Sequence, residues 1–145
     1  MPITCSKTYP DIPLAHRQPH HDGHCRFIHG HSWTLRITFE TNALDRNGFV
    51  VDFGQLRYLK QWIDEHLDHG ILLGHDDALG KSLVAAQPGL FKAYYLEHPS
   101  CEGLAAEVFR VFSELVAKHE GDRIRVTQVE CWEDPRNMTT YTPKS

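Results

Sequence analysis

From His29 to Glu40 the chain alternates without a break: Trp33, Leu35, Ile37 and Phe39 share one parity, and Thr34, Arg36, Thr38 and Glu40 take the other. Side chains two apart in an extended segment point to the same face, so this run predicts a strand with one apolar and one polar side. Such a strand needs paired neighbours and a layer that buries its apolar side. His29 and His31 open that same apolar parity, and Gly30 removes bulk between them. Bare imidazoles on a core-facing side are costly unless paired or coordinated. Cys25 lies just before them, and His16 supplies a third imidazole upstream. Three imidazoles with an open fourth position is the layout of a catalytic zinc, whereas closed structural sites use four protein ligands, often thiolates. A His-x-His pair alone is more often a surface pair or a hydrogen-bonded core pair. The alternation behind it, the nearby thiol and His16 favour the metal.

At 145 residues the chain makes one domain, 1–145, large enough to bury a real core. A formal net charge of -4 argues against nucleic acid as the main partner. No run of about 18 apolar residues occurs, so no membrane span is expected. Met1 to Lys7 lacks the apolar region of a signal peptide, which leads to the expectation of a cytoplasmic protein with reduced thiols. Cys5, Cys25, Cys101 and Cys131 are scattered and form no Cys-x-x-Cys pair, so neither a disulfide framework nor a thiolate zinc site is expected. The 11 histidines exceed ordinary usage and hint at metal or proton chemistry.

Along the chain, Thr4 to Tyr9 reads as a first strand. Pro10, Pro13 and Pro19 then punctuate a loop that carries His16. His20, His21 and His24 fall in a polar turn and are expected outside the metal's ligand set. Asp45-Arg46-Asn47-Gly48 predicts a hairpin turn into a strand at Phe49–Phe53. Asp52 and Gln55 make a capping-box start for a helix whose face is Leu56, Leu59, Ile63 and Leu67, ending near His69-Gly70. A short helix at Leu79–Ala86 and a strand at Phe91–Leu96 follow. Ser100 caps a second long helix, with Leu104, Val108, Val111, Phe112, Leu115 and Val116 on its apolar face and Gly121 at its end. A strand at Arg123–Trp132 and a short edge strand at Asn137–Thr142 close the pattern. The order favours an antiparallel α+β sandwich over a parallel doubly wound sheet.

Three further groups carry a chemical case. A thiol beside a cation has a lowered pKa, which makes Cys25 a candidate base or nucleophile. Asp68 beside His69 can fix a tautomer and raise basicity, although adjacent helical residues diverge by about 100° and the helix dipole alone favours a terminal His. Glu130 shares parity with Ile124 and Val126, so its carboxylate is either aimed at the core with a partner or exposed on a twisted strand end.

His16, the run Cys25-x-x-x-His29-Gly30-His31, Leu67-Asp68-His69, Pro99-Ser100-Cys101-Glu102 and Glu130 together resemble the 6-pyruvoyl-tetrahydropterin synthase / 6-carboxy-tetrahydropterin synthase family, over roughly Tyr9 to Tyr141. The spacing from Cys25 to His29-Gly30-His31 is similar to the bacterial 6-carboxy branch of queuosine (7-deazaguanine) biosynthesis. The resemblance implies the tunnelling fold (T-fold), a four-stranded antiparallel sheet with two long helices on one face. It implies trimers paired into homohexamers, with sites at subunit interfaces. It implies Zn2+ on His16, His29 and His31, catalytic roles for Cys25, Asp68 and His69, a pterin-anchoring Glu130, and a pterin pocket at Ser100, Cys101 and Glu102. The implied substrate is 7,8-dihydroneopterin triphosphate, a small molecule, and the products are 6-carboxy-5,6,7,8-tetrahydropterin, acetaldehyde and triphosphate. The pyruvoyl synthase and a noncatalytic pterin- or metal-binding protein are the alternatives. Cys101 stands where the family usually has Thr, and the 70–98 segment is longer than usual, with Lys81 and Lys92 as candidates for phosphate contact.

Overall fold

The computed structural model describes residues 2–144. The two long strands β1 (Ile3–His16) and β2 (His29–Thr41) pair antiparallel from Ile3 opposite Thr41 to His16 opposite His29. β2 also pairs antiparallel with β5 (Ile124–Trp132), and β5 with β6 (Met138–Tyr141). These four strands are the expected antiparallel sheet. Two short strands extend it on the far side of β1: β3 (Gly70–Gly74) and β4 (Ala93–Leu96) run parallel to β1 and to each other, giving the order β4-β3-β1-β2-β5-β6.

The helices are α1 (Arg57–His66), α2 (Ala78–Ala86) and α3 (Cys101–Glu120). Trp33, Leu35, Ile37 and Phe39 of β2 are fully buried and share one core with Leu59 and Ile63 of α1 and Leu104, Val108, Phe112 and Val116 of α3. The polar parity of β2 faces the other way, so α1 and α3 cover a single side of the sheet. α3 begins where Ser100 Oγ accepts the Gly103 N–H at 3.1 Å and ends at Gly121, whose φ of +70° suits glycine. A Cβ on Gly103 would lie 1.8 Å from the His98 carbonyl. Glycine there lets the 98–100 loop press against the helix. Among the described residues no helix is long and apolar enough to cross a membrane.

Several boundaries differ from expectation, each for a local reason. β1 is not finished at Tyr9: it runs through Pro10 and Pro13 to His16, so His16 ends a strand and does not sit in a loop. The register shifts between Tyr9 and Ile12, with Asp11 at φ 59°, so Pro10 falls at a bulge. Pro13 precedes the first β3 pair, Leu14 with Gly70, where its missing N–H costs no ladder bond. The Asp45–Gly48 turn forms, with Gly48 at φ +80° and the Asp45 carboxylate accepting the Asn47 and Phe49 N–H groups. The segment after it is not a strand; Val50 and Val51 drop into the core and Asp52 caps a single tight turn ahead of α1. α1 stops at His66, and His69, not Gly70, takes the left-handed conformation, at φ 60°.

The correction with most consequence is in β5. Thr38 pairs with Gln128 but Phe39 pairs with Val126, so one extra residue sits in β5 between these pairs. A bulge of this kind exchanges the two faces of a strand. Ile124 and Val126 face the core before it, and Val129 and Cys131 face the core after it. Glu130 therefore lies on the other side of the sheet.

Candidate functional site

The register of β1 against β2 assembles the histidines. His16 ends β1 directly opposite His29, and His31 follows on the same face of β2. Their ring centroids lie 4.6, 5.2 and 5.0 Å apart, and one ring nitrogen from each falls within 4.8 Å of the others. His16 Nδ1 donates to the Pro99 carbonyl at 2.8 Å, and His29 Nδ1 donates to the Phe27 carbonyl at 2.7 Å. Both bonds put the proton on Nδ1 and leave the Nε2 lone pair free to ligate. The Nε2 atoms of His16 and His31 are buried with no hydrogen-bond partner among the described residues. An unsatisfied buried nitrogen costs about 1–3 kcal/mol, and a divalent ion at the convergence point relieves two of them together. Neutral imidazoles in this number and spacing fit zinc.

His16 is 1% exposed and packs edge-on to Trp33. Burial, helped by the neighbouring His29 and His31 and opposed by the bond to Pro99, lowers its pKa to about 4. The unfolded chain, with an ordinary imidazole near pH 6.5, takes up this proton first on acidification. The metal-free protein is accordingly expected to hold its full stability above pH 6.5 and to lose on the order of 2 kcal/mol as the pH falls towards 4. Thermal denaturation in a chelator across that range checks this, and His16→Gln should flatten the profile.

The triad forms one wall of a cavity of about 260 Å³. Cys25 enters from a short turn at His24–Arg26 and is half-buried. Ser100, Cys101 and Glu102 enter from the start of α3. The Cys101 thiol donates to the Cys131 carbonyl at 2.9 Å, and a hydrogen bond from the Cys131 thiol holds its pKa below the usual thiol value, against burial. Glu133 completes the set, its Oε2 3.7 Å from His16 Nε2 and 3.6 Å from His31 Nε2. Glu133 went unread in the sequence. The signal was there: counting back from it, Cys131 and Val129 share its parity and are apolar.

Glu130, by contrast, is not in the cavity. Its carboxylate is paired on both oxygens with Arg36, at 2.8 and 2.6 Å, and takes a further bond from Gln128 at 3.0 Å. The anchoring role expected of it is withdrawn, because the β5 bulge turns it away and a guanidinium already occupies it. Asp68 and His69 bond to each other, but they lie apart from the histidine cavity within one chain. His69 N–H donates to the Pro13 carbonyl, which sets it three residues along from His16, and its side chain is 81% exposed. Asp68 lines a separate groove of about 420 Å³ with Lys7, Arg57 and Lys60. His20 pairs with Asp76 and His24 packs edge-on to Phe27; His21 reaches the cavity wall, but its Nδ1 accepts the Gly23 N–H. None of the three joins the converging triad. Lys81 lies over Tyr95 and Lys92 donates to the Asp64 carbonyl, so neither lines the cavity.

Residues 5–144 match the family model described as 6-pyruvoyl tetrahydropterin synthase. A protein of Rickettsia conorii named 6-carboxy-5,6,7,8-tetrahydropterin synthase is 32% identical over 136 residues, 92% of this chain and 95% of that one. A Synechocystis protein of the same name is 34% identical over 105 residues, 69% and 67% of the two chains. Among solved structures, an uncharacterized protein from Wolinella succinogenes superposes with a TM-score of 0.85 at 20% identity, covering 99% of both chains. Caenorhabditis elegans 6-pyruvoyl tetrahydropterin synthase superposes at 0.69 and 17% identity, over 99% and 97%. The two structures bear on the fold.

Proposed function

Because the chain belongs to the 6-pyruvoyl tetrahydropterin synthase family, we propose that it is a zinc-dependent carbon–carbon lyase of the cytoplasm, converting 7,8-dihydroneopterin triphosphate to 6-carboxy-5,6,7,8-tetrahydropterin with release of acetaldehyde and triphosphate, in queuosine biosynthesis. The observation that carries this reading is the convergence of His16, His29 and His31, two with orphaned Nε2 atoms, beside a thiol and a carboxylate in one cavity.

Zinc held by the three imidazoles would supply a Lewis acid toward the substrate's side-chain oxygens, acidifying the neighbouring C–H. Cys25 lines the same cavity, and its sulfur is the base that would take that proton. Glu133 replaces Glu130 as the acid of this reading: it lines the cavity beside His16 and His31, with no Lys or Arg paired to it among the described residues, and it can accept from the donor-rich edge of a pterin. Cys101 spends its donor on the Cys131 carbonyl and so shapes the wall more than it binds, while Ser100 Oγ accepts the Gly103 N–H in the α3 cap and keeps its own O–H for the cavity. Asp68 and His69 would come to the cavity from a second copy, with His69 moving a proton on the opposite side of the substrate. A homohexamer of paired trimers satisfies that requirement.

Incubating the zinc-loaded protein with 7,8-dihydroneopterin triphosphate should give 6-carboxy-5,6,7,8-tetrahydropterin and stoichiometric acetaldehyde by mass spectrometry. Triphosphate released with all side-chain carbons retained identifies the pyruvoyl reaction. Binding without product would favour a noncatalytic protein, the reading that Cys101 in place of a hydroxyl motivates.

A further inference from the structure

Two residues directly after His16 have no part in the chemistry just described. Arg17 makes a two-pronged ion pair with Asp77, Nε to Oδ2 at 2.7 Å and Nη2 to Oδ1 at 3.1 Å. The pair is deep: the side chains are 17% and 1% exposed. Asp77 also accepts the Gly80 N–H at 3.0 Å and so caps α2. Burial works to raise the Asp77 pKa, but the bonds from Arg17 and Gly80, with the Arg17 charge, hold it below the usual carboxylate range, so the pair is ionised at neutral pH.

The remaining fork of Arg17 reaches the other way. Its Nη1 donates to the Arg26 carbonyl at 3.2 Å, and the next residue's backbone, Gln18 N–H, donates to the Cys25 carbonyl at 2.8 Å. Cys25 and Arg26 supply consecutive carbonyls of the turn that carries the thiol. Within the turn, Arg26 Nη1 donates to the Asp22 and Gly23 carbonyls and Phe27 N–H to the His24 carbonyl, and at its far end the Phe27 carbonyl takes the bond from His29 Nδ1. The turn is thus stiff in itself, and Arg17 and Gln18 fasten it to the sheet. The same two residues follow the ligand His16, so one short run sets both the ligand and the thiol. Only a guanidinium can do this, since it offers two parallel N–H groups to a carboxylate and a further one to a carbonyl.

We propose that the Arg17–Asp77 pair is a positioning clamp for Cys25, and that the α2 segment serves the site by presenting Asp77. The proposal rests on the reading of Cys25 as the reacting thiol. It assigns the 70–98 segment to geometry, not to phosphate binding.

Two conservative variants of the full zinc-loaded chain test it. Arg17→Lys keeps a cation opposite Asp77 but loses the N–H on Arg26. Asp77→Asn keeps an oxygen for the α2 cap, where Asn serves as well as Asp, but removes the charge that orients Arg17. Both should raise the iodoacetamide alkylation rate of Cys25 several-fold, with Cys5 unchanged as an internal control. Both should lower kcat by roughly 10–100-fold, with KM and zinc content within about twofold of the parent. A structural role confined to capping α2 would lower Tm in Arg17→Lys little and leave Cys25 alkylation untouched. Parental alkylation and kcat in both variants would overturn the clamp, as would a loss of kcat that merely follows loss of zinc. If the parent itself forms no product, the reading of the reaction fails, and the alkylation comparison still decides the clamp.

Discussion

Replacing Cys25 with alanine is expected to lower kcat by roughly 10²–10⁴-fold while about one zinc per chain stays bound. Cys25 lines the histidine cavity but is not one of the three converging residues, so its loss leaves the ligand set intact. Alanine removes the sulfur without adding bulk to a half-buried position. On the proposed reaction, substrate should still bind, and what is lost is the group proposed to take the proton. Product formation by mass spectrometry and metal content by elemental analysis measure the two halves separately. Full turnover in Cys25→Ala removes the base assignment. Loss of zinc together with turnover makes the thiol a ligand instead.

The opposite separation is expected for His31→Ala. Its Nε2 is buried without a partner among the described residues, and it closes a triangle that His16 and His29 cannot complete as a pair. Zinc affinity should fall well beyond the roughly 10–100-fold that follows loss of a ligand's own hydrogen-bond partner. Turnover should drop to background. An ion that binds only the folded state stabilises it by about 2.7 kcal/mol at a hundredfold excess over Kd, so added zinc should raise the parent's Tm and leave that of His31→Ala unmoved. A variant that keeps one tightly bound zinc and its turnover sinks the metal centre, and with it the proposed reaction.

The centre was legible because its geometry is written in parity. His29 and His31 share the phase of Trp33, Leu35, Ile37 and Phe39, and the phase held through all of β2. The ends of α3 were legible through capping, at Ser100 and Gly121, whereas Asp52 caps the tight turn ahead of α1 and not α1 itself, whose N-cap Leu56 makes no side-chain bond. β3 was not. All five of its residues are buried, so it carries no alternation, and a five-residue apolar run has no phase to read. Three prolines normally end a strand and so point to a loop at His16, while a bulge at Tyr9–Ile12 and a late-starting neighbour let β1 absorb two of them. Glu130 was misread because a bulge is a backbone event and leaves no mark in residue type. The pairing of Asp68 with His69 was visible, but within one chain they stay apart from the cavity.

The surplus residue in β5, Thr127, is the point where the strand's sequence parity and its faces part. Glu130 and Glu133 stand three apart and therefore on opposite phases, with the slip between Val126 and Gln128 upstream of both. Deleting one codon at Thr127 would leave Thr38 opposite Gln128 and Phe39 opposite Val126, so Glu130 would stay against Arg36 and Glu133 in the cavity. The strand can therefore lose a residue at that point while the electrostatics of the pocket stay as they are.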